Sequence, residues 1–365
     1  MKKIIVAAVA AAIIAPAVSM AAGPVLYGRI HTSVDYNDNG GKSSQNESYD
    51  DWSLQTNSSR IGVKGSEDLG NGMKVGYLIE WGVDMDGDGG DLTERNRAIT
   101  LSGDWGTALA GKWDTPFKSV GRKFDIIGNE KVGDVRAING DLDLRTQNTL
   151  AYVTPNMGGF SATLAYVFDG AQDGLQNIGD ADYSDDNSDN NAYSFNAIYN
   201  NGPILIGMGY INLNDDGQNS RTNTDTQEAW RVGGSYAFGD FKVMASYVDF
   251  DNLGFDKDED PSVWTVGGSF KMGNNTLALQ YADRDKSGAK DDVTGHKLKD
   301  GSDMWTIGLD HAMSKRTSVY ANYASLSNDK DSARAPWSGN GHGATADAAY
   351  DEDADSFSVG ILHKF

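Results

Sequence analysis

The residues that could do chemistry are most concentrated in the acidic segment DMDGDGGD at positions 84–91. Its carboxylates belong to Asp84, Asp86, Asp88 and Asp91. Their spacing is similar to the first half of a calcium-binding loop, with glycine at the turn. The pattern is incomplete, because Arg95 occupies the position at which such a loop carries a bidentate glutamate. The segment is interpreted either as a site for Ca²⁺ or Mg²⁺ or as a solvated acidic loop.

Patterns typical of enzymes do not occur in the sequence. The five histidines, at positions 31, 296, 311, 342 and 363, are scattered and form no HExxH pair. There is no GxSxG nucleophile motif, and GGKS at 40–43 lacks the upstream glycine of a phosphate-binding loop. The sequence therefore predicts a protein that is not an enzyme and that has no cofactor apart from the divalent cations considered above.

Charge and cysteine content narrow the class further. The formal net charge is -21, from 52 acidic and 31 basic residues, and there is no cysteine. Nucleic-acid binding is not expected, because phosphate contacts need a basic face. Disulfides and thiolate metal sites are excluded. The acidity favours cations near the surface, so we expect any transport function to prefer cations.

The first 22 residues have the composition of a secretory signal peptide. Lys2 and Lys3 precede an apolar run at 4–14, and small residues around Ala21 and Ala22 offer a cleavage site. The run is too short to span a bilayer as a helix, and no later stretch approaches twenty apolar residues. We expect residues 1–22 to be cleaved and residues 23–365 to form one domain.

Strands of alternating polarity must position these residues. In the last segment, Phe357, Val359 and Ile361 share one face with the terminal Phe365, while small and polar residues occupy the other. Sixteen such segments begin near Val25, Ser59, Met73, Asn96, Thr107, Asn148, Phe160, Ala192, Pro203, Ala229, Phe241, Val263, Thr276, Asp303, Thr317 and Asp355. Short and long connectors alternate between them. An even number of strands with this pattern predicts an all-β protein, a transmembrane antiparallel up-and-down barrel of 16 strands whose first and last strands pair.

Alternation also assigns side chains to the two faces of each strand. Tyr27, Arg29, His31 and Asp35 of the first strand are predicted to face the lumen, as are Arg60 and Lys64 of the second. In the fifth strand Leu109 and Trp113 are predicted to face lipid, and Lys112 and Asp114 the lumen. The fourth strand is ambiguous, because Arg95 and Arg97 share a face with Ile99 and Leu101.

The chain resembles the general trimeric porins of Gram-negative outer membranes over its whole mature length. The resemblance rests on VLYGRIHTSVDY (25–36), SSRIGVKGSEDLGNGMKVGYLIEW (58–81), RNRAITLSGDWGTALAGKWDTPF (95–117) and the C-terminal strand. It implies a homotrimer in contact with outer-membrane lipid and lipopolysaccharide, with the fourth-strand wall at the subunit interface and the second long loop latched onto a neighbouring subunit. It also implies that Phe365 is part of the signal read by the barrel assembly machinery.

The resemblance further implies that the third long loop, at 117–147, folds into the lumen and narrows it. By position, the loop would supply the carboxylates of Asp125, Glu130 and Asp134. The facing basic wall would comprise Arg29, Arg60, Arg95, Arg97, Lys112 and Arg145. Opposed charges across a narrow pore create a transverse field that favours small polar solutes.

The predicted function is that of an outer-membrane porin passing small hydrophilic solutes and ions by passive diffusion, with a preference for cations. A substrate-selective channel with a saturable site, such as a phosphate- or sugar-selective porin, is the main alternative. An outer-membrane hydrolase and a soluble β-sandwich adhesin are the others, and the missing catalytic Ser/His spacing argues against the hydrolase.

Overall fold

The computed structural model describes residues 23–40, 50–87, 92–128, 130–168, 191–214, 226–256, 258–291, 294–336 and 350–365. The predicted signal peptide lies outside these residues. The strands are β1 (Val25–Asp38), β2 (Asp50–Thr56), β3 (Arg60–Gly70), β4 (Met73–Gly82), β5 (Thr93–Gly103), β6 (Gly106–Asp114), β7 (Arg145–Val153), β8 (Phe160–Val167), β9 (Asn191–Asn201), β10 (Ile204–Asn214), β11 (Thr226–Phe238), β12 (Phe241–Asp251), β13 (Ser262–Met272), β14 (Asn275–Arg284), β15 (Ser302–Ala312), β16 (Thr317–Asn328) and β17 (Ala354–Lys364). Among the described residues, no helix is long and apolar enough to cross a membrane.

The strands form one antiparallel sheet that closes into a barrel. Closure joins β1 to β17, with a register from Arg29 opposite Lys364 to Asp38 opposite Asp355. Beyond this register, the backbones of Gly28 and Phe365 exchange two hydrogen bonds of 3.1 Å. Among the described strands, all except β2 (Asp50–Thr56), which pairs only with β1, therefore have a neighbour along both edges, as a lipid environment requires because it offers no partner to an open edge. The predicted pairing of the first and last strands is confirmed.

The second position in the barrel is filled by two consecutive strands. β2 pairs with the C-terminal half of β1, and β3 pairs with its N-terminal half. Between the two strands, residues 57–59 interrupt the β structure, and Ser58 has a φ of 52°. The predicted 16-stranded barrel is thus confirmed with one extra strand. The sequence-based prediction began the second strand near Ser59 and missed Asp50–Thr56.

The outer surface of the barrel is apolar and carries pairs of aromatic rings. Trp264 and Tyr281 have ring centroids 5.2 Å apart, and so do Trp305 and Tyr323 on β15 and β16. The Tyr323 hydroxyl donates a 3.0 Å hydrogen bond to Asp355. Aromatic side chains whose polar atom reaches the aqueous phase are typical of the membrane–water interface.

The connector between β6 and β7, residues 115–144, folds into the barrel and is called L3 below. It contains the helices α1 (Pro116–Gly121) and α2 (Arg136–Asn139). Thr115 caps α1 by accepting a hydrogen bond from the Lys118 N–H, and Pro116 suits the first helical turn because it needs no N–H partner there. L3 follows the fifth barrel strand, as predicted.

An apolar core inside the barrel holds L3 in place. The L3 side chains Phe117, Val135, Ile138 and Leu142 are all buried. They belong to one cluster with inward-facing residues of β8 to β16, namely Val167, Ala192, Ile211, Leu213, Ala229, Val248, Phe250, Val263, Ala282, Met304 and Leu326. The short 3₁₀ segment Leu253–Phe255 packs into the same cluster. These strands are therefore apolar on both faces where L3 lies against them, and the remaining lumen borders the opposite wall.

Candidate pore constriction

Glu130 of L3 is the carboxylate that meets the basic wall. It forms an ion pair with Arg29 of β1, and the Nη2 atom of Arg60 on β3 lies 3.4 Å from its Oε2. From L3 itself, Arg122 lies 3.1 Å and Arg136 3.9 Å from Oε1. The Glu130 side chain is only 6% exposed, so these four guanidiniums replace the water that its charge has lost.

A second carboxylate, Glu80 of β4, orders the wall. Arg95 Nε lies 2.7 Å and Arg60 Nη1 lies 3.4 Å from its Oε1, and the Tyr27 hydroxyl donates a 3.1 Å hydrogen bond to its Oε2. Because Arg60 contacts both Glu80 and Glu130, the wall and L3 form one network. We call this network the inner ionic cluster; it consists of Arg29, Arg60, Glu80, Arg95 and Glu130.

A further group of charges lies where L3 leaves and rejoins the wall. Asp114 at the end of β6 is 3.0 Å from Arg145 of β7 and 3.3 Å from Lys118 of α1. Asn96 of β5 accepts a 2.7 Å hydrogen bond from Arg145. Burial lowers the pKa of Lys118 to about 8, although Asp114 opposes the shift.

The other two predicted carboxylates make their contacts within L3. Asp134 lies 3.0 Å from Arg136 and accepts the Glu130 N–H at 3.1 Å. Asp125 accepts the Ile127 N–H at 3.2 Å. Burial and the neighbouring charge of Asp134 raise the pKa of Asp125. Burial acts in the same direction on Asp134, but Arg136 outweighs it and holds the pKa of Asp134 low. Asp134 is thus ionised and paired, and Asp125 tends to hold its proton.

Positive charge is in excess at this part of the lumen. The ionised carboxylates are Glu80, Asp114, Glu130 and Asp134, and each lies within 4 Å of a cation. The cations of these groups are Arg29, Arg60, Arg95, Lys118, Arg122, Arg136 and Arg145. Seven cations face four carboxylates, and three of those cations belong to L3. The predicted opposition of an acidic loop and a basic wall therefore holds only for Glu130.

Two of the predicted wall residues, Arg97 and Lys112, lie on the outer surface of the barrel. Arg97 is paired with Ile79 in the β4–β5 register, Trp81 is paired with Glu94, and the register shifts between these two pairs. The extra residue turns Arg95 to the lumen and leaves Arg97 outside, 5.8 Å above the Trp81 ring. This irregularity resolves the ambiguity of the fourth strand.

Lys112 is outside because the predicted facing of β6 is wrong. Leu109 is buried and packs with Ala151 and Ala165, which point inward between lipid-facing neighbours. Its large apolar side chain was interpreted as facing lipid, so the predicted facing of Lys112 was shifted by one residue. Trp113, also predicted to face lipid, packs against this inner cluster instead. Outside, Glu94 lies 2.8 Å from Arg97 and 3.2 Å from Lys112. We call Glu94, Arg97 and Lys112 the outer ionic cluster.

Sequence reasoning did not identify Glu80, Arg122 or Arg136 as site residues. Glu80 could have been found, because it alternates with Ile79 and Trp81 in YLIEW and must face the lumen. Arg122 and Arg136 could not, because a loop has no periodicity that relates its side chains to the wall. Within L3 they contact Glu130 only through its folded conformation, in which Glu130 has a φ of 60°.

The candidate calcium segment is described only in part, since Asp88 and Asp91 lie outside the described residues. Asp86 accepts a 2.9 Å hydrogen bond from the Thr56 N–H of β2. The part of the chain that the structure describes contains no group of three or more acidic or histidine residues able to hold a metal ion. Binding of Ca²⁺ or Mg²⁺ by Asp84, Asp86, Asp88 and Asp91 stays a prediction.

Comparison with known proteins places this geometry among outer-membrane channels. The family model described as Gram-negative porin matches residues 6–331. Outer membrane porin protein 32 of Delftia acidovorans is 29% identical over 320 residues, covering 84% of each chain. An outer membrane porin protein of Bordetella pertussis is 29% identical over 279 residues, covering 68% of this chain and 69% of the relative. The structure of an anion-selective porin from Comamonas acidovorans superposes with a TM-score of 0.75 at 25% identity, covering 94% of this chain and 99% of that one.

Proposed function

Because the chain belongs to the Gram-negative porin family and forms a channel of the outer membrane, we propose that its constriction prefers anions among the small hydrophilic solutes it passes. The excess of cations over ionised carboxylates at the constriction carries this proposal. A pore wall of low dielectric focuses the field of such an excess, which raises the local concentration of anions and lowers that of cations.

The expected preference for cations rested on the net charge of the whole chain, and neither the constriction nor the relatives support it. Much of the acidic charge is in connectors such as 170–190, which lie outside the described residues. Charges more than about 10 Å from a permeating ion are largely screened at 0.1 M salt. The described charges within contact distance of the ion therefore act on it with little screening. The Comamonas acidovorans porin, with 25% identity to this chain, is itself described as anion-selective, which supports the proposal.

The reversal potential of the purified channel in a planar bilayer with a KCl gradient tests the proposal. We expect its sign to correspond to a chloride permeability above that of potassium. Arg122→Gln should lower the ratio of the two permeabilities, because it removes an L3 cation whose side chain is 33% exposed. Lys286→Gln is the matched control, since it removes a cation from an exposed ion pair outside L3. A wild-type potential of the opposite sign contradicts the proposal.

We propose further that three copies associate through the outer face of β5 and β6. Charged side chains facing lipid are costly, and a second copy would cover the outer ionic cluster. Native mass spectrometry should then give a trimer, and Arg97→Glu combined with Lys112→Glu should lower the temperature at which it dissociates. A chain that remains monomeric in mild detergent contradicts this assembly.

Two contacts with the cell envelope are proposed on the same basis. Phe365 ends the closing strand, and we propose that the barrel assembly machinery reads it; deletion of Phe365 should lower the yield of folded protein in the outer membrane. The acidic segment at 84–91 is proposed to bind Ca²⁺ or Mg²⁺ that bridges it to lipopolysaccharide phosphates. Calorimetric titration with CaCl₂ that gives no heat would contradict the second proposal.

A further inference from the structure

The last part of L3 carries two carboxylates on either side of a buried leucine. Asp141 and Asp143 flank Leu142, which is 1% exposed and belongs to the apolar core inside the barrel. Neither carboxylate contacts the inner ionic cluster. Each forms an ion pair with an arginine of the distant wall, Asp143 with Arg231 of β11 and Asp141 with Arg284 of β14.

Arg231 contacts both ends of L3. Its Nη2 atom lies 3.0 Å from Asp143 Oδ1, and the two side chains are 2% and 5% exposed. Its guanidinium carbon lies 3.6 Å from the centroid of the Phe117 ring in α1. A Cβ atom at Gly121 would collide with Arg231 Nη1, so a side chain there would displace the guanidinium from this position at the end of α1. One wall residue thus joins the beginning of L3 to its end.

Arg284 repeats the arrangement three strands further along the wall. Its Nη1 atom lies 2.8 Å from Asp141 Oδ2 and donates a 3.2 Å hydrogen bond to the carbonyl of Ile138. The Phe250 ring centroid lies 5.5 Å from its guanidinium carbon. In both arrangements a wall arginine is held between a carboxylate and an aromatic ring, where a planar guanidinium fits and an ammonium does not.

From these contacts we propose that Arg231 and Arg284 are the positioning residues that keep L3 in one open position, so that the width of the pore stays constant. The two pairs add no net charge to the lumen, so their role is separate from ion preference. A buried carboxylate that loses its arginine partner raises the free energy of the folded state. L3 would then move until water reaches that carboxylate. The conformations so reached would narrow the pore and appear as closures of the channel.

Single-channel recordings at fixed voltage in symmetric salt test the proposal, because closures are then measured independently of ion preference. In Arg231→Gln, the unpaired buried Asp143 should make closures about tenfold more frequent, as expected when one partner of a buried pair is removed. Arg231→Gln combined with Asp143→Asn removes both charges and should return the frequency close to that of wild type. Arg231→Lys keeps the charge but loses the planar stack on the Phe117 ring. Its closing frequency should therefore lie between those of Arg231→Gln and the double variant.

One control and two further variants separate positioning from a general loss of structure. Lys286→Gln breaks an ion pair whose side chains are 53% and 46% exposed, and it should leave the closing frequency unchanged. If Arg231→Gln fails to fold, the double variant and Arg231→Lys still decide the question, because the proposal orders their frequencies. The proposal is overturned if folded Arg231→Gln closes as often as wild type. It is also overturned if the double variant closes as often as Arg231→Gln alone. At the second pair Arg334 also lies 3.6 Å from Asp141, so Arg284→Gln should raise the closing frequency less than Arg231→Gln does.

Discussion

The inner and outer ionic clusters share the strand β5, which gives Arg95 to the first and Glu94 and Arg97 to the second, yet the clusters lie on opposite sides of the same wall. In the inner cluster, Glu80 is 8% and Arg95 is 10% exposed, and their atoms are 2.7 Å apart. In the outer cluster, Glu94 is 54% and Arg97 is 34% exposed, at a distance of 2.8 Å. The ion-pair distances are nearly equal, so the clusters differ mainly in their surroundings.

This difference decides what each cluster can do. Inside, Arg60 and Arg95 share Glu80, and Arg60 connects it to Glu130 of L3, so charge, wall and loop are one unit beside the path of the solute. Outside, Glu94 neutralises Arg97 and Lys112 only in part, and it forms no ion pair with the described residues of L3. Burial and connection to L3, and not the presence of a salt bridge, distinguish the constriction from an ordinary charged surface.

Removing the shared carboxylate should give the largest difference between the clusters. Glu80→Gln leaves Arg95 without its buried carboxylate and Arg60 with Glu130 alone, and it should lower the free energy of unfolding by about 3 kcal/mol. Glu94→Gln removes an exposed partner and should lower it by less than about 1 kcal/mol. Chemical denaturation of the detergent-dissociated monomer, in which no second copy covers the outer cluster, measures both values. Equal losses would show that burial does not separate the two clusters.

Substitution of the two arginines of β5, Arg95 and Arg97, should have different effects on ion selectivity. Arg95→Gln removes a charge beside the permeating ion, which at about 4 Å in water is worth roughly 1 kcal/mol, so the preference for anions should fall about fivefold. Arg97→Gln, two residues away on the outer surface, should leave the reversal potential unchanged. A shift of the same size in both variants would place Arg97 in the lumen and contradict the observed register of β4 and β5.

Alternation predicted the barrel well because lipid imposes one rule on every strand. Val359 and Ile361 on β17 were assigned to lipid from sequence, and they are 47% and 44% exposed on the outer surface. The strand β2 could have been found by the same rule, because Trp52 and Leu54 alternate and are 58% and 56% exposed. It was missed because it ends at the short break before β3.

The details of the constriction followed no such rule. A one-residue shift between β4 and β5 reverses the facing of Arg95 relative to Arg97, and nothing in RNRAITL marks where it occurs. Leu109 faces inward because Ala151 and Ala165 leave room for it, which depends on strands distant in sequence. L3 carries Arg122 and Arg136 toward Glu130 only because its apolar side chains pack on the far wall.

The part of the lumen beside the inner cluster should also respond to pH, through two residues of L3. Lys118 is charged below about pH 8 and loses its proton above that value, among Asp114, Arg122, Arg145 and Asp143. Asp125 has a raised pKa and gains negative charge over the upper part of the pH range. Both changes subtract positive charge from the lumen as pH rises, so the preference for anions should decline, by about twofold for a loss of some 0.4 kcal/mol, from pH 7 to pH 9.

Reversal potentials recorded at pH 6, 7, 8 and 9 follow this decline. Lys118→Arg keeps its charge throughout and Asp125→Asn stays neutral, so each variant should flatten part of the profile and the double variant most of it. Lys112→Arg, the same exchange in the outer cluster, should leave the profile as in wild type. A profile that depends on Lys112 and not on Lys118 would mean that the outer cluster, and not the constriction, controls the ion flow.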